Sequence, residues 1–141
     1  MKELRIAVAG LGTVGTAFVK ALRSSGLSIK LVAVSARDRA KHQDLDLTDI
    51  EWVDDAHALA QRTDIDVVCE LIGGADGIAR VLCERSLTFG KDIVTANKAL
   101  LAEHGASLAA LAEEKRASIS YEAAVAGEIP VVKKLREEMT G

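Results

Sequence analysis

Strand-length apolar segments alternate with helix-patterned segments along all 141 residues, which predicts an α/β protein: a doubly wound parallel sheet with helices on both faces. Two further observations sharpen the prediction. The first apolar segment runs directly into Gly10-Leu11-Gly12-Thr13-Val14-Gly15, and a helix pattern with Val14, Phe18 and Leu22 spaced by four follows at once. The expected strands are 4–9, 29–35, a short one at 51–53, 66–71, 92–96 and 117–121. Helices are expected at 14–25, 55–62, 75–88 and 105–116, and a last one from Pro130, whose missing N–H is harmless at a first helical position. The stretch 36–50, rich in Asp, Arg and Lys, reads as an irregular surface loop.

Each glycine of the first turn has a separate reason to be there. Gly10 lets the chain turn sharply out of the strand, Gly12 lets the backbone approach a pyrophosphate without a Cβ in the way, and Gly15 lets the helix pack closely. The helix that follows points its free N–H groups and its positive end at the phosphates. The pattern therefore reads as a dinucleotide socket in a Rossmann fold, with the ligand across the carboxyl ends of the strands where strand order reverses.

Composition fits that reading and excludes others. With 49% hydrophobic and 28% charged residues the chain is globular, and a domain of this length buries roughly two-thirds of its unfolded surface. The net charge is −3 with both signs interspersed, so there is no basic stripe to track a nucleic acid. Apolar runs are too short to span a bilayer, and Met1-Lys2-Glu3-Leu4-Arg5 lacks a signal-peptide pattern, so a cytoplasmic protein with no membrane partner is expected. Cys69 and Cys83 fall on apolar positions and read as core thiols, while His42, His57 and His104 are scattered and read as surface or loop residues. No zinc-type centre is expected from this inventory.

Three other strand ends carry unusual residues. After the second strand, about twenty residues past the glycine run, the carboxylate that would hold both ribose hydroxyls of NAD is absent. Ser35, Arg37, Arg39 and Lys41 stand there instead, which suits the 2′-phosphate of NADP; alternatively the cations form a solvated loop beside Asp38. NADP(H) is thus favoured, with NAD(H) left open. After the fourth strand, Gly73-Gly74 is either a place of close approach to the cofactor or a plain turn. After the fifth, Lys98 is either an exposed structural lysine or an ammonium placed to donate a proton or steady negative charge on a reacting oxygen.

Taken together, Gly10–Gly15, Glu70-Leu71-Ile72-Gly73-Gly74, Val94-Thr95-Ala96-Asn97-Lys98-Ala99-Leu100-Leu101-Ala102 and Tyr121-Glu122-Ala123-Ala124-Val125-Ala126-Gly127 before Ile129-Pro130 resemble the amino-terminal part of homoserine dehydrogenase nearly end to end. The resemblance implies NAD(P)-dependent interconversion of L-homoserine and L-aspartate 4-semialdehyde in threonine and methionine biosynthesis. It implies that Gly10, Leu11, Gly12, Thr13, Val14 and Gly15 hold the dinucleotide, that Arg37 and Lys41 lie near the adenosine ribose, and that Gly73 and Thr95 lie along the cofactor. Lys98 becomes the active-site lysine, touching the cofactor as well. A sodium site is implied at Glu122 and the carbonyls of Val125, Gly127 and Ile129, although Glu128 stands where the family usually has a second glycine.

Residues 1–128 are accordingly expected to form the nucleotide-binding domain. Residues 129–141 begin the connection to a substrate and dimerisation domain absent from this chain, so the chain alone is expected to bind cofactor without turnover. The parent is expected to be a homo-oligomer, and the apolar stripe of Val131, Val132, Leu135 and Met139 to seek a partner. An alternative reading is a stand-alone NAD(P)-binding sensor or interaction module without catalysis.

Overall fold

A computed structural model describes residues 3–26 and 28–121. Among the described residues six parallel strands form one sheet: β1 (Leu4–Ala9), β2 (Ile29–Ser35), β3 (Glu51–Trp52), β4 (Val67–Glu70), β5 (Asp92–Thr95) and β6 (Ile119–Tyr121). Their order is β3-β2-β1-β4-β5-β6, so the chain steps outward from β1 to one edge and then restarts beside β1 toward the other. The reversal falls between β1 and β4, which is where a doubly wound sheet opens a crevice at its carboxyl edge.

Side chains alternate along the strands and divide the core in two. Ile6, Val8, Val34, Val67, Cys69 and Val94 face one layer, which α1 (Thr13–Ser24) closes with Phe18 and Val19. Ala7, Ala9, Ala33, Val68 and Ile93 face the other, closed by a 3-10 segment (Ala56–Gln61), α2 (Ile78–Thr88) and α3 (Lys98–Glu114). The three alanines give the second layer room for Leu59, Leu82 and Leu87, all wholly buried.

Three expectations are corrected. First, α3 begins at Lys98, seven residues before the expected 105, because the Asn97 side chain accepts a hydrogen bond from the Leu100 amide at 3.0 Å and caps the helix at the strand end. Second, 36–50 is no plain surface loop. It contains a 3-10 turn (Arg39–His42), and its Leu45 is buried with Leu47 and Ile50 packed behind it. Arg23 of α1 grips the segment at Asp46 Oδ2 (3.1 Å) and at the Thr48 carbonyl (3.1 Å). Hydrogen bonds from Thr48, side chain and backbone, and then Arg23 hold the Asp46 carboxyl down at about 2. Third, the segment expected as a helix at 55–62 is 3-10 throughout, opened by Asp55, whose carboxylate accepts from the His57 amide at 3.0 Å. The helix expected from Pro130 lies outside the described residues.

Cys69 and Cys83 are both fully buried, as the sequence suggests. Burial, and after it the negative charge of Glu70 and Glu84, pushes the Cys83 thiol far above the ordinary thiol range, so it supplies almost no thiolate near neutral pH. Neither thiol is expected to react with an aromatic disulfide reagent at pH 8 until the protein unfolds; labelling faster than unfolding would mean the α2 layer opens on its own.

Candidate functional site

A cleft of about 640 Å³ lies across the carboxyl ends of β1, β2, β3 and β4. Its floor is the turn after β1. Gly10 has φ +101°, and a Cβ there would lie 2.6 Å from the Leu71 carbonyl, so the first turn and the β4 exit are in direct backbone contact. Gly15 sits one helical turn on, where a Cβ would run into the Gly10 carbonyl oxygen. Gly12 differs from both. It is the N-cap of α1, exposed on the cleft wall, with nothing within 4 Å of the Cβ it lacks and no side-chain cap for the helix. The first-turn N–H groups of Thr13, Val14 and Gly15 are thus left without a capping side chain, beside open space that a Cβ would fill. That is the form of a cradle for an anion.

The second wall comes from the end of β2. Ser35 ends that strand, and its carbonyl accepts from the Gly10 amide at 2.8 Å, which fixes the two strand ends together. Arg37 and Lys41 both line the cleft and both are exposed. Asp38, which stands between them, turns its carboxylate to the Ala40 amide at 3.1 Å and caps the 3-10 turn. Arg39 is drawn off to the Trp52 ring, 5.7 Å from its centroid, and is absent from the cleft lining. Asp54, Ala56 and His57 close the wall from beyond β3, and the exposed Ile78 of α2 supplies an apolar face opposite.

Of the residues singled out in the sequence, the cleft lining brings together Gly10, Leu11, Gly12, Arg37 and Lys41. Thr13, Val14 and Gly15 stand just behind Gly12 in the first turn of α1. Gly73, Thr95 and Lys98 stand at the ends of β4 and β5, beyond that lining. Lys98 is exposed, at the first position of α3. The sodium residues Glu122, Val125, Gly127 and Ile129 lie outside the described residues.

The β4 and β5 ends hold a group that motif reading passes over. Glu70 is 0% exposed, on the last residue of β4. Its Oε2 accepts from the amides of Ile72 (2.8 Å) and Gly73 (3.0 Å), and its Oε1 accepts from the Thr95 hydroxyl (2.6 Å). Thr95 is the register partner of Glu70 across the sheet, and its Oγ1 accepts in turn from the Asn97 amide at 3.0 Å. Asn97 donates from Nδ2 to the Gly74 carbonyl at 2.6 Å while capping α3 with Oδ1. A lone Glu in the apolar run Val67-Val68-Cys69-Glu70 is the signal that could have shown this, because a charge at a buried strand position requires partners.

His104, read as a surface or loop residue, belongs to a surface cluster. It sits within α3, its side chain mostly covered, with Nε2 2.9 Å from Asp76 Oδ1 and 3.7 Å from Glu103 Oε2. The three each offer one ligand atom within reach of a shared metal ion, a grouping of one histidine with two carboxylates that the expectation of no zinc-type centre did not foresee. Asp76 and Glu103 are largely solvated, and Arg80 also approaches Asp76 at 3.5 Å.

A six-stranded doubly wound sheet with an open, uncapped glycine turn at its switch point defines a dinucleotide-binding α/β protein. The profile described as "Homoserine dehydrogenase, NAD binding domain" matches residues 10–122, and the chain belongs to that family. It is 40% identical over 145 residues to homoserine dehydrogenase of Neisseria gonorrhoeae, covering 97% of this chain and 33% of that protein. The homoserine dehydrogenase of Pseudomonas aeruginosa is 39% identical over 148 residues, covering 99% and 33%. A crystal structure of homoserine dehydrogenase from Thiobacillus denitrificans superposes with TM-score 0.80 at 35% identity, over 99% of this chain and 34% of that one. The chain spans about a third of the length of the curated relatives it matches. It is a nicotinamide-dinucleotide-binding domain, and no helix among the described residues is long and apolar enough to cross a membrane.

Proposed function

We propose that this chain is the cofactor half of a homoserine dehydrogenase that interconverts L-homoserine and L-aspartate 4-semialdehyde, with NADP(H) preferred. The observation that carries the reading is Gly12: an uncapped helix start on the cleft wall, open wherever its Cβ would be. Gly10 to Gly15 take the pyrophosphate on main-chain amides, and Arg37 and Lys41 take the 2′-phosphate with paired cations. Gly73 and the end of β5 at Thr95 border the far half of the cofactor. The dinucleotide, when bound, supplies or accepts a hydride. Lys98 holds a proton near the substrate oxygen and steadies charge that develops there.

Residues 1–128 form this unit in the proposal and 129–141 lead onward. Glu122, Val125, Gly127 and Ile129 take sodium there, in a cytoplasmic homo-oligomer whose substrate contacts come mainly from other parts of the enzyme. NAD(H) stays as a second cofactor for one reason: Asp54 places a carboxylate on the same cleft, where ribose hydroxyls could meet it.

Two titrations test this. The 141-residue chain should bind NADPH by calorimetry and fail to oxidise homoserine; robust turnover would refute the division of labour. Arg37→Ala removes a charged hydrogen bond worth about 1.5–3 kcal/mol, so NADPH affinity should fall roughly 10- to 100-fold with NADH affinity nearly unmoved. Equal losses for the two cofactors would place the 2′-phosphate elsewhere.

A further inference from the structure

We infer that Glu70 is a positioning residue of the nucleotide site: it locks the Gly73-Gly74 loop and the start of α3 into one edge, against which the nicotinamide half of the cofactor rests. The inference depends on the cofactor reading above. Arg37 and Lys41 lie at the β2 side of the cleft and the uncapped glycine turn lies at β1. A dinucleotide with its adenosine and pyrophosphate there runs on toward the ends of β4 and β5.

At those ends the backbone has reason to be loose. Gly73 and Gly74 both have positive φ, +94° and +86°, and neither has a side chain to hold it. Glycine loses more freedom on ordering than any other residue, so an untethered pair would place that loss on ligand binding. The tethers are the Glu70 bonds to the Ile72 and Gly73 amides and the Asn97 bond to the Gly74 carbonyl. Thr95 joins the two sets, because its hydroxyl donates to Glu70 and accepts from the Asn97 amide. Its hydroxyl proton is therefore engaged inward, and Thr95 contributes by this relay.

The chemistry asks for a carboxylate. Donors converge on Glu70 from three sides and it meets them with acceptors alone; a glutamine would turn its N–H₂ either on the Ile72 and Gly73 amides or on Thr95, whose hydroxyl would then have to accept from it as well as from the Asn97 amide and give up its donation inward. Glu70 itself is wholly buried, so it acts through the loop.

The test compares two ligands that differ only at the far end, NADPH and 2′-phospho-ADP-ribose, on the 141-residue chain and on Glu70→Gln. NADPH affinity should fall about tenfold in the variant while 2′-phospho-ADP-ribose stays within twofold, and the Gly73 and Gly74 amides should shift and exchange faster with those of 10–15 unchanged. A general loss of structure would weaken both ligands alike, and equal losses, or none, overturn the inference. Asn97→Asp is the second variant, since it keeps the helix cap and deletes the donor to Gly74. It should show the same selective loss, and if Glu70→Gln does not fold, Asn97→Asp decides. Wild-type chain that binds neither ligand removes the nucleotide site itself, whereas wild-type chain that binds both with unselective variants removes only the role given to Glu70.

Discussion

Replacing each glycine of the first turn by alanine should separate folding from binding. Gly10→Ala must hold φ +101° with a Cβ 2.6 Å from the Leu71 backbone, and Gly15→Ala drives a methyl into the Gly10 carbonyl. A positive φ costs an L residue about 1–2 kcal/mol and overpacking against backbone about 1–3 kcal/mol more. Gly10→Ala meets both costs and should lower unfolding stability by about 3 kcal/mol, a large share of the 5–15 kcal/mol typical of a domain, while Gly15→Ala meets the overpacking alone and should lose about 1–3 kcal/mol. Gly12→Ala meets nothing within 4 Å, so denaturant unfolding should report a loss of no more than about 1 kcal/mol, the ordinary difference between glycine and alanine at an N-cap. Its methyl occupies the space beside the helix start, and losing two charge-assisted bonds of about 1.5 kcal/mol each corresponds to about a 100-fold weaker dinucleotide. Gly12→Ala that binds NADPH as tightly as the parent would mean the phosphates do not approach α1. Gly10→Ala or Gly15→Ala of unchanged stability would mean that the first turn yields to a side chain and that close packing against Leu71 and Gly10 does not hold it.

The same contrast separates what local sequence encodes from what only the fold brings together. Alternation of apolar runs with helix patterns located all six strands, because in a parallel sheet buried on both faces each strand is nearly continuous hydrophobic sequence, as in Ile6–Ala9 and Val67–Cys69. Gly-x-Gly-x-x-Gly showed the turn, because three different steric demands each exclude a side chain. The start of α3 was hidden. Asn97 ends one element and caps the next, leaving no loop for composition to mark. The 36–50 segment misled for the opposite reason, since its many charges masked three apolar residues that dock on α1. The Glu70 network joins residues 25 and 27 positions apart through strand pairing and a cap, and no local spacing encodes such a link. The cleft wall has the same character: Asp54, His57 and Ile78 share a cleft with Arg37 only because the segments after β3 and β4 border the same crevice.

Lys98 should prove a residue that helps turnover at the expense of stability. It occupies the first position of α3, where the free N–H groups make the helix end positive, and no acidic residue in the first turn offsets it. An ammonium there is unfavourable by a few tenths of a kcal/mol or more, and a stability-driven choice would place Asp or Glu. Lys98→Glu is accordingly expected to raise the unfolding free energy of the 141-residue chain by about 0.5–1 kcal/mol. In a whole enzyme of this family carrying this domain, the same change removes the proposed proton donor and sets a negative charge beside a developing negative oxygen. Positioned proton transfer contributes about 10²- to 10⁴-fold, so kcat should fall by at least about 100-fold while NADPH affinity, held by the glycine turn and Arg37, changes little. The two signs together are diagnostic. A solvated lysine of no function would show the gain in stability without the loss in turnover, and a lysine that merely binds cofactor would lose NADPH affinity instead of kcat.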